Sequence, residues 1–163
     1  MAGNLIKLRF TLNGEETTLQ CPPGIRLIDV LREYFGLTET REGCGAGECG
    51  HCLVLKDGQV VNACLIPAFA LADAEIVTAE GIRRLKSFTE LRRSLPAEKL
   101  FSCRLCASGS VVALAGQLLN NPEGGEREIR DALEGVLCSC GGYAGVLEEA
   151  LHRLSRRRRY GRR

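Results

Sequence analysis

The sequence lacks any run of about 18 apolar residues, so it predicts no transmembrane helix. It also lacks a basic segment followed by an apolar one at its start, so export through a signal peptide is not expected and a cytoplasmic location is. The 163 residues are 45% hydrophobic and 26% charged, which is ordinary for a globular chain of one domain or two small ones.

Long runs of one charge sign are absent except at the end of the chain. The net charge is +2, but six arginines stand within residues 156–163, and subtracting them leaves −4 on the rest. This basic run has no recognition motif or aromatic stacking platform beside it, so we predict no nucleic-acid partner. We expect a disordered tail or a tail that docks on a partner protein.

Cysteine, in contrast, is abundant. Nine cysteines in a chain without an export signal favour metal binding over disulfides. Two sets of four leave one over, Cys21, which we interpret as a plain buried thiol at the end of a strand.

The first set has the spacing C-x4-C-x2-C followed by a fourth cysteine after eleven residues, and its members are Cys44, Cys49, Cys52 and Cys64. This spacing is typical of plant-type [2Fe–2S] proteins, in which four thiolates bind one cluster. The loop glycines are expected to allow positive φ and a close approach of the backbone to the cluster; they are Gly43, Gly45, Gly47 and Gly50. A zinc loop or a disulfide knot is the alternative, although zinc sites favour paired C-x2–4-C knuckles.

Histidine is too scarce here for a Rieske centre, which needs two histidines at one cluster. His51 lies between two first-set cysteines, and His152 is far away in the last predicted helix. We therefore predict that His51 is not a ligand but a surface residue near the cluster.

The second set pairs C-x2-C with a later C-x-C, and its members are Cys103, Cys106, Cys138 and Cys140. Each pair adjoins a predicted helix, whose N-terminal dipole favours thiolate over thiol. Adjacent thiolates in C-x-C suit one iron of a [2Fe–2S] cluster better than a zinc knuckle, but zinc remains the alternative on chemistry alone.

The pattern of the first half predicts strands around one helix. Alternating residues 4–12, the turn Asn13-Gly14 and a strand near 16–20 indicate a hairpin, and residues 26–35 form a helix that Gly36 ends. A strand at 52–56, a turn at Asp57-Gly58, a second short strand and a last strand at 75–78 follow. We expect a small mixed sheet wrapped on one helix.

The second half is predicted to be all helical, because the apolar period changes near residues 79–83. The predicted helices are 83–94, 109–120, 126–134 and 143–154. The division is therefore 1–80, 81–155 and an arginine-rich tail at 156–163, in the α+β class.

The two cysteine sets, in this order, resemble those of the small iron–sulfur subunit of the molybdenum hydroxylases, which include xanthine dehydrogenases, aldehyde oxidoreductases and aerobic carbon monoxide dehydrogenases. The resemblance covers roughly residues 5–154. It implies a β-grasp plant-type ferredoxin domain followed by a four-helix bundle domain, each with one [2Fe–2S] cluster. It also implies a large partner subunit with a molybdenum–pterin centre, and a flavin (FAD) subunit.

The second set departs from the family pattern between its ligands. The family glutamine that faces the pterin is Ser102 here, and the arginine of its Cys-Arg-Cys is Ser139. All four cysteines are present. By the resemblance, Ser102 and Cys140 are the candidate pterin-facing residues, with a contact at Ser102 that differs from the usual one.

The sequence therefore predicts an electron-transfer subunit that binds clusters and supplies no catalytic acid, base or nucleophile. Electrons would leave the molybdenum–pterin centre through two clusters to flavin or another acceptor. The alternative is a free-standing two-cluster ferredoxin or redox sensor without a catalytic partner.

Overall fold

A computed structural model describes residues 4–89, 104–139 and 148–152. Its strands are β1 (Ile6–Leu12), β2 (Glu15–Cys21), β3 (Leu53–Lys56), β4 (Gln59–Asn62) and β5 (Glu75–Val77). Its α-helices are α1 (Leu27–Asp29), α2 (Ala79–Arg84), α3 (Ala107–Asn120) and α4 (Glu126–Glu134), and residues 148–152 are also helical. The α+β class is confirmed. In the part of the chain described, no helix is long and apolar enough to cross a membrane.

The strands form one mixed sheet in the order β2-β1-β5-β3-β4, with β1 and β5 parallel and the other pairs antiparallel. Both hairpin turns were predicted from their sequences. Asn13 and Gly14 have φ of 51° and 83°, and Asp57 and Gly58 have φ of 51° and 77°. Two consecutive positive φ angles are what a two-residue type I′ turn requires.

One face of the sheet packs on α1, which continues as a π-helical stretch, Val30–Tyr34. Leu27, Ile28 and Leu31 are fully buried there with Phe10. The helix ends as predicted at Gly36, whose φ is 64°, and the N–H of Leu37 donates to the carbonyl of Leu31 at 2.9 Å.

The other face of the sheet packs on α3. Successive side chains of a strand point to opposite faces, so Leu53 and Leu55 of β3 join the core shared with α3, while Val54 joins the core around α1. The helix α3 is buried along most of its length, and a Cβ at Gly116 would overlap the side chain of Val60. The sheet therefore lies between two helical layers.

The helix predicted at 83–94 is wrong at its start and is interrupted at Leu85, and its last residues, 90–94, lie outside the described residues. The helix α2 begins directly after β5, with Thr78 as its N-cap: the Thr78 Oγ1 accepts from the N–H of Gly81 at 3.4 Å. It ends at Leu85, whose backbone is extended and whose side chain lies beside Gly14 of the first hairpin turn. Contact with that turn and with the shared core overrides the helical period.

Two helices of the second half agree with the prediction. The helix α4 has the bounds expected, and the N–H of Gly125 donates to the Glu128 carboxylate at 2.8 Å at its start. The helix predicted at 109–120 begins two residues earlier, at Ala107. Most of the fourth predicted helix, and the tail at 156–163, lie outside the described residues.

Candidate iron–sulfur sites

Three cysteines of the first set, Cys44, Cys49 and Cys52, lie on an irregular loop between the α1 layer and β3. This loop turns through positive φ at Gly45, Gly47 and Gly50, with values of 67°, 78° and 68°. The expectation is corrected at Gly43, whose φ is not positive. There the reason for glycine is space, because a Cβ would lie 2.6 Å from the Cys49 Sγ and 2.5 Å from the His51 ring.

Backbone N–H groups of this loop are directed at sulfur. The N–H groups of Ala46 and Glu48 donate to the Sγ of Cys44, both at 3.3 Å, and the N–H of Cys44 donates to the Sγ of Cys49 at 3.4 Å. These donors favour the thiolate, so they lower the pKa of the exposed Cys44 thiol from its ordinary 9.0 to about 7. The loop thus stabilises negative charge on sulfur, as a cluster ligand requires.

The other two cysteines of this set are buried against the sheet. Cys52 directly precedes β3, and Cys64 lies in the 3-10 turn Ala63–Leu65 after β4. Burial raises the pKa of Cys52 to about 12; a hydrogen bond from the Cys64 backbone opposes this rise, and contact with the Cys64 side chain adds to it. Side-chain contacts pair Cys44 with Cys49 and Cys52 with Cys64, and Cys49 also interacts electrostatically with Cys52, so the four thiols form one connected group.

Paired thiols suit two irons, each with two cysteines, better than one ion with four. Among the described residues, no three His, Cys, Asp or Glu side chains converge on a single-ion site, and none of the four first-set cysteines is in a disulfide. The donor set, the directed N–H groups and the glycine loop thus fit a [2Fe–2S] cluster.

Asn62 is a residue of this site that sequence reasoning missed. Its Nδ2 donates to the carbonyl of Gly47 at 3.1 Å, and its Oδ1 lies 3.8 Å from the Cys52 Sγ. The side chain holds the loop against the end of β4. An asparagine at a strand end ordinarily indicates a turn, so no local signal distinguishes this role.

Only half of the second cysteine set lies within the described residues. Cys106 is buried and directly precedes α3, as predicted, and Cys138 follows α4 and is partly buried. Both border the core that α3 shares with the sheet. Cys103, Cys140 and Ser102 lie outside the described residues.

The two cysteine segments touch through their backbones. The N–H of Leu137, the residue before Cys138, donates to the carbonyl of Cys49 at 3.0 Å. Gly50 follows Cys49, and a Cβ there would overlap the carbonyl oxygen of Gly135. A hydrogen bond thus joins Cys49, a candidate ligand of the first set, to the residue that precedes Cys138, a candidate ligand of the second set.

His51 is buried, which corrects the expectation of a surface residue. Its exposed fraction is 6%, and its Nε2 lies 2.6 Å from the carbonyl oxygen of Leu137. The covering residues come from the far end of the chain, so the sequence around His51 carried no sign of its burial.

Comparison with known proteins agrees with this geometry. A family model described as "2Fe-2S iron-sulfur cluster binding domain" matches residues 10–81, and one described as "[2Fe-2S] binding domain" matches residues 78–151. A probable xanthine dehydrogenase component of Bacillus subtilis is 34% identical over 157 residues, covering 96% of this chain and 90% of that protein. The chain belongs to the family of iron–sulfur subunits of the molybdenum hydroxylases.

Further relatives also match over most of their own length. The nicotinate dehydrogenase small FeS subunit of Eubacterium barkeri is 36% identical over 143 residues, covering 88% of this chain and 91% of that protein. Among solved structures, quinoline 2-oxidoreductase from Pseudomonas putida 86 matches with a TM-score of 0.82 and 30% identity over 96% of this chain and 98% of that one.

This membership decides between the alternatives that the sequence left open. The match at 78–151 favours a second [2Fe–2S] cluster over zinc, so the chain carries two [2Fe–2S] domains. Because the relatives are subunits of oxidoreductases, a free-standing ferredoxin or redox sensor is disfavoured.

Proposed function

We infer that this chain is the electron-transfer subunit of a molybdenum hydroxylase-type complex, carrying electrons from a molybdenum–pterin centre on a large partner to a flavin (FAD) on another partner or to another acceptor. The observation that supports this most directly is the hydrogen bond from Leu137 to Cys49, because it joins the two cysteine segments within one chain. When bound, the two [2Fe–2S] clusters would each take up and release one electron.

The ligands of the first cluster would be Cys44 and Cys49 on one iron and Cys52 and Cys64 on the other, following the two contacting pairs. The N–H groups of Ala46 and Glu48 would stabilise the charge on the outer pair. Burial around the inner pair would keep water away from it. Cys103, Cys106, Cys138 and Cys140 would hold the second cluster.

The finer architecture follows the same proposal. Residues 1–80 would form the β-grasp ferredoxin domain and 81–155 the four-helix bundle domain, with 156–163 as the tail. The mixed sheet against α1 supports the first assignment, and α3, α4 and the helical residues 148–152 support the second.

Two surfaces would face the partners. Beside the first cluster loop, Leu65, which follows Cys64 and lies against Gly47, is 58% exposed. This apolar edge of the first site would face the subunit that holds the acceptor. Beside the second site, Leu105 and Leu137 are 41% and 59% exposed. They would face the subunit that holds molybdenum.

Ser102 and Cys140 would face the pterin, as the resemblance implies. The shorter Ser102 would leave room for a bridging water or a closer partner backbone. A complex of this kind would operate in the cytoplasm.

The test is to purify the chain with its partner subunits and to measure metals and reduction by substrate. We expect molybdenum in the complex and about four irons and four sulfides per chain, from two clusters of two irons. In a Cys106→Ser complex, substrate should still reduce molybdenum while the first-set cluster stays oxidised. In a Cys49→Ser complex, substrate should reduce the second-set cluster but not the acceptor.

Stopped-flow reduction read by the spin signals of the two clusters distinguishes these states. If the Cys49→Ser complex loses reduction of the second-set cluster while Cys106→Ser still delivers electrons to the acceptor, the order of the two sites is the reverse of that proposed. A chain that purifies alone with two irons and one zinc would exclude the second cluster.

A further inference from the structure

The Leu137 peptide is held from both sides by the first cluster loop. Its N–H donates to the carbonyl of Cys49 at 3.0 Å, and its carbonyl lies 2.6 Å from the Nε2 of His51. A carbonyl oxygen only accepts, so the imidazole N–H is the donor. Cys49 and His51, two residues apart, thus bind the N–H and the carbonyl of Leu137. Two parallel strands pair in the same way, except that here the His51 side chain replaces the second backbone N–H.

The side chain of Leu137 contributes little to its position, because 59% of it is exposed. The residue is instead placed by its backbone, and Cys138 follows it directly. Close packing reinforces the contact: a Cβ at Gly109 would overlap the carbonyl oxygen of Gly50, so the loop lies directly on the first turn of α3. The His51 ring, with an exposed fraction of 6%, is enclosed in this junction.

We propose that His51 is a positioning residue for electron transfer between the two cysteine sites. By donating to the Leu137 carbonyl, it keeps the segment before Cys138 in hydrogen-bond contact with Cys49. This rests on the proposed function, since it presumes a cluster at each site. The competing view is that His51 only fills the space between the loop and α4.

Two substitutions at position 51, glutamine and methionine, have side chains of similar size and distinguish the two views. Glutamine at position 51 keeps an N–H donor at about the distance of the imidazole Nε2, whereas methionine fills the space without a donor. Asn120 provides the matched control: its Nδ2 donates to the carbonyl of Gly58 at 3.4 Å, which also joins α3 to the sheet half, but at the end of the helix opposite to the cysteines. We would compare His51→Gln, His51→Met and Asn120→Ala in the full chain.

Each variant would be reconstituted with iron and sulfide and reduced, and two quantities would be measured: the magnetic interaction between the two reduced clusters and the rate at which they equilibrate electrons. We expect His51→Met to keep both individual spin signals but to weaken their interaction and to slow equilibration roughly two- to tenfold, the range set by one buried hydrogen bond. His51→Gln should restore most of both, and Asn120→Ala should match the wild type.

Hydrogen exchange at the Leu137 amide gives a readout that does not depend on iron. It should accelerate in His51→Met and stay near the wild-type rate in His51→Gln and Asn120→Ala, in loaded and in metal-free protein. Equal exchange and equal cluster interaction in the methionine and glutamine variants would overturn the proposal. A wild-type chain that binds only one cluster would instead overturn the proposed function, whatever the variants do.

Discussion

The side chain of Asn13 holds Thr78 at two points. Its Oδ1 accepts from the N–H of Thr78 at 2.9 Å, and its Nδ2 donates to the Thr78 Oγ1 at 3.1 Å. Thr78 is the N-cap of α2, so the first hairpin turn fixes the place where the chain leaves the sheet. The second hairpin turn acts at the other end of β5, where the Asp57 Oδ1 accepts from the N–H of Glu75 at 2.8 Å.

We expect Asn13→Gly to destabilise the loaded chain by about 1–2 kcal/mol, because two partly buried hydrogen bonds are lost. Glycine tolerates the φ of 51° at this position, so the turn itself is kept. Asn13→Asp retains the acceptor for the Thr78 N–H and should lose less. Denaturant unfolding measures the difference, and equal midpoints for Asn13→Gly and the wild type would contradict the prediction.

The two hairpin turns are features that the local sequence pattern was sufficient to predict. Asn13-Gly14 and Asp57-Gly58 were predicted because positive φ at both positions selects their residue types. The helix α4 was predicted with its bounds because its caps lie next to it in the sequence. The spacing also predicts that the four first-set cysteines bind one cluster, and that assignment stays a prediction.

What local pattern missed depends on contacts between distant segments. The helical period did not reveal the break at Leu85, which the first hairpin turn imposes, and His51 was expected at the surface because Leu137, its cover, is 86 residues away. Asn62 was missed for the same reason, since its partner is the carbonyl of Gly47.

The pKa of Cys44 gives a prediction for the metal-free chain. Its thiol has a pKa of about 7 because of the N–H groups of Ala46 and Glu48, whereas burial raises the pKa of Cys52 to about 12. Alkylation of Cys44 should therefore rise through about pH 7 and level off above it, while Cys52 and the fully buried Cys21 react slowly at every pH tested.

The same lowering of the Cys44 pKa makes the stability of the metal-free chain depend on pH. The folded pKa lies below the ordinary 9.0, so ionisation of Cys44 favours the folded metal-free chain at high pH, and this contribution is lost as pH falls through about 7. Mass spectrometry after a short alkylation pulse identifies the modified cysteine. A Cys44 midpoint near the ordinary 9.0, or Cys52 reacting first, would show that the loop does not hold its donors on sulfur.

The arginine-rich tail should serve assembly and not cluster binding. Deletion of residues 156–163 removes six positive charges from a chain that is otherwise −4. We expect both cluster spectra to be unchanged and partner binding to weaken, more visibly at low salt, since exposed charges are screened beyond about 8 Å at physiological ionic strength. A changed cluster spectrum in the truncated chain would refute this separation of roles.

The last prediction concerns the glycine at the junction of the two cysteine segments. Gly50 and Gly58 both have positive φ, 68° and 77°, but their surroundings differ. A Cβ at Gly58 would meet nothing within 4 Å, whereas one at Gly50 would overlap the carbonyl oxygen of Gly135, which is backbone and cannot rotate away. Alanine at the two positions thus separates the cost of the backbone conformation from the cost of the contact.

We expect Gly58→Ala to destabilise the loaded chain by about 1–2 kcal/mol, the cost of a left-handed conformation for a residue with a Cβ. Gly50→Ala should cost about 3 kcal/mol or more, because displacing the packed backbone adds to the same term. It should also accelerate hydrogen exchange at the Leu137 amide, since the loop that carries Cys49 must move away from Gly135. Denaturant unfolding and hydrogen exchange would be measured on both variants. If Gly50→Ala lowers the free energy of unfolding no more than Gly58→Ala does, and the Leu137 amide stays protected, the two cysteine segments are not in the close contact described.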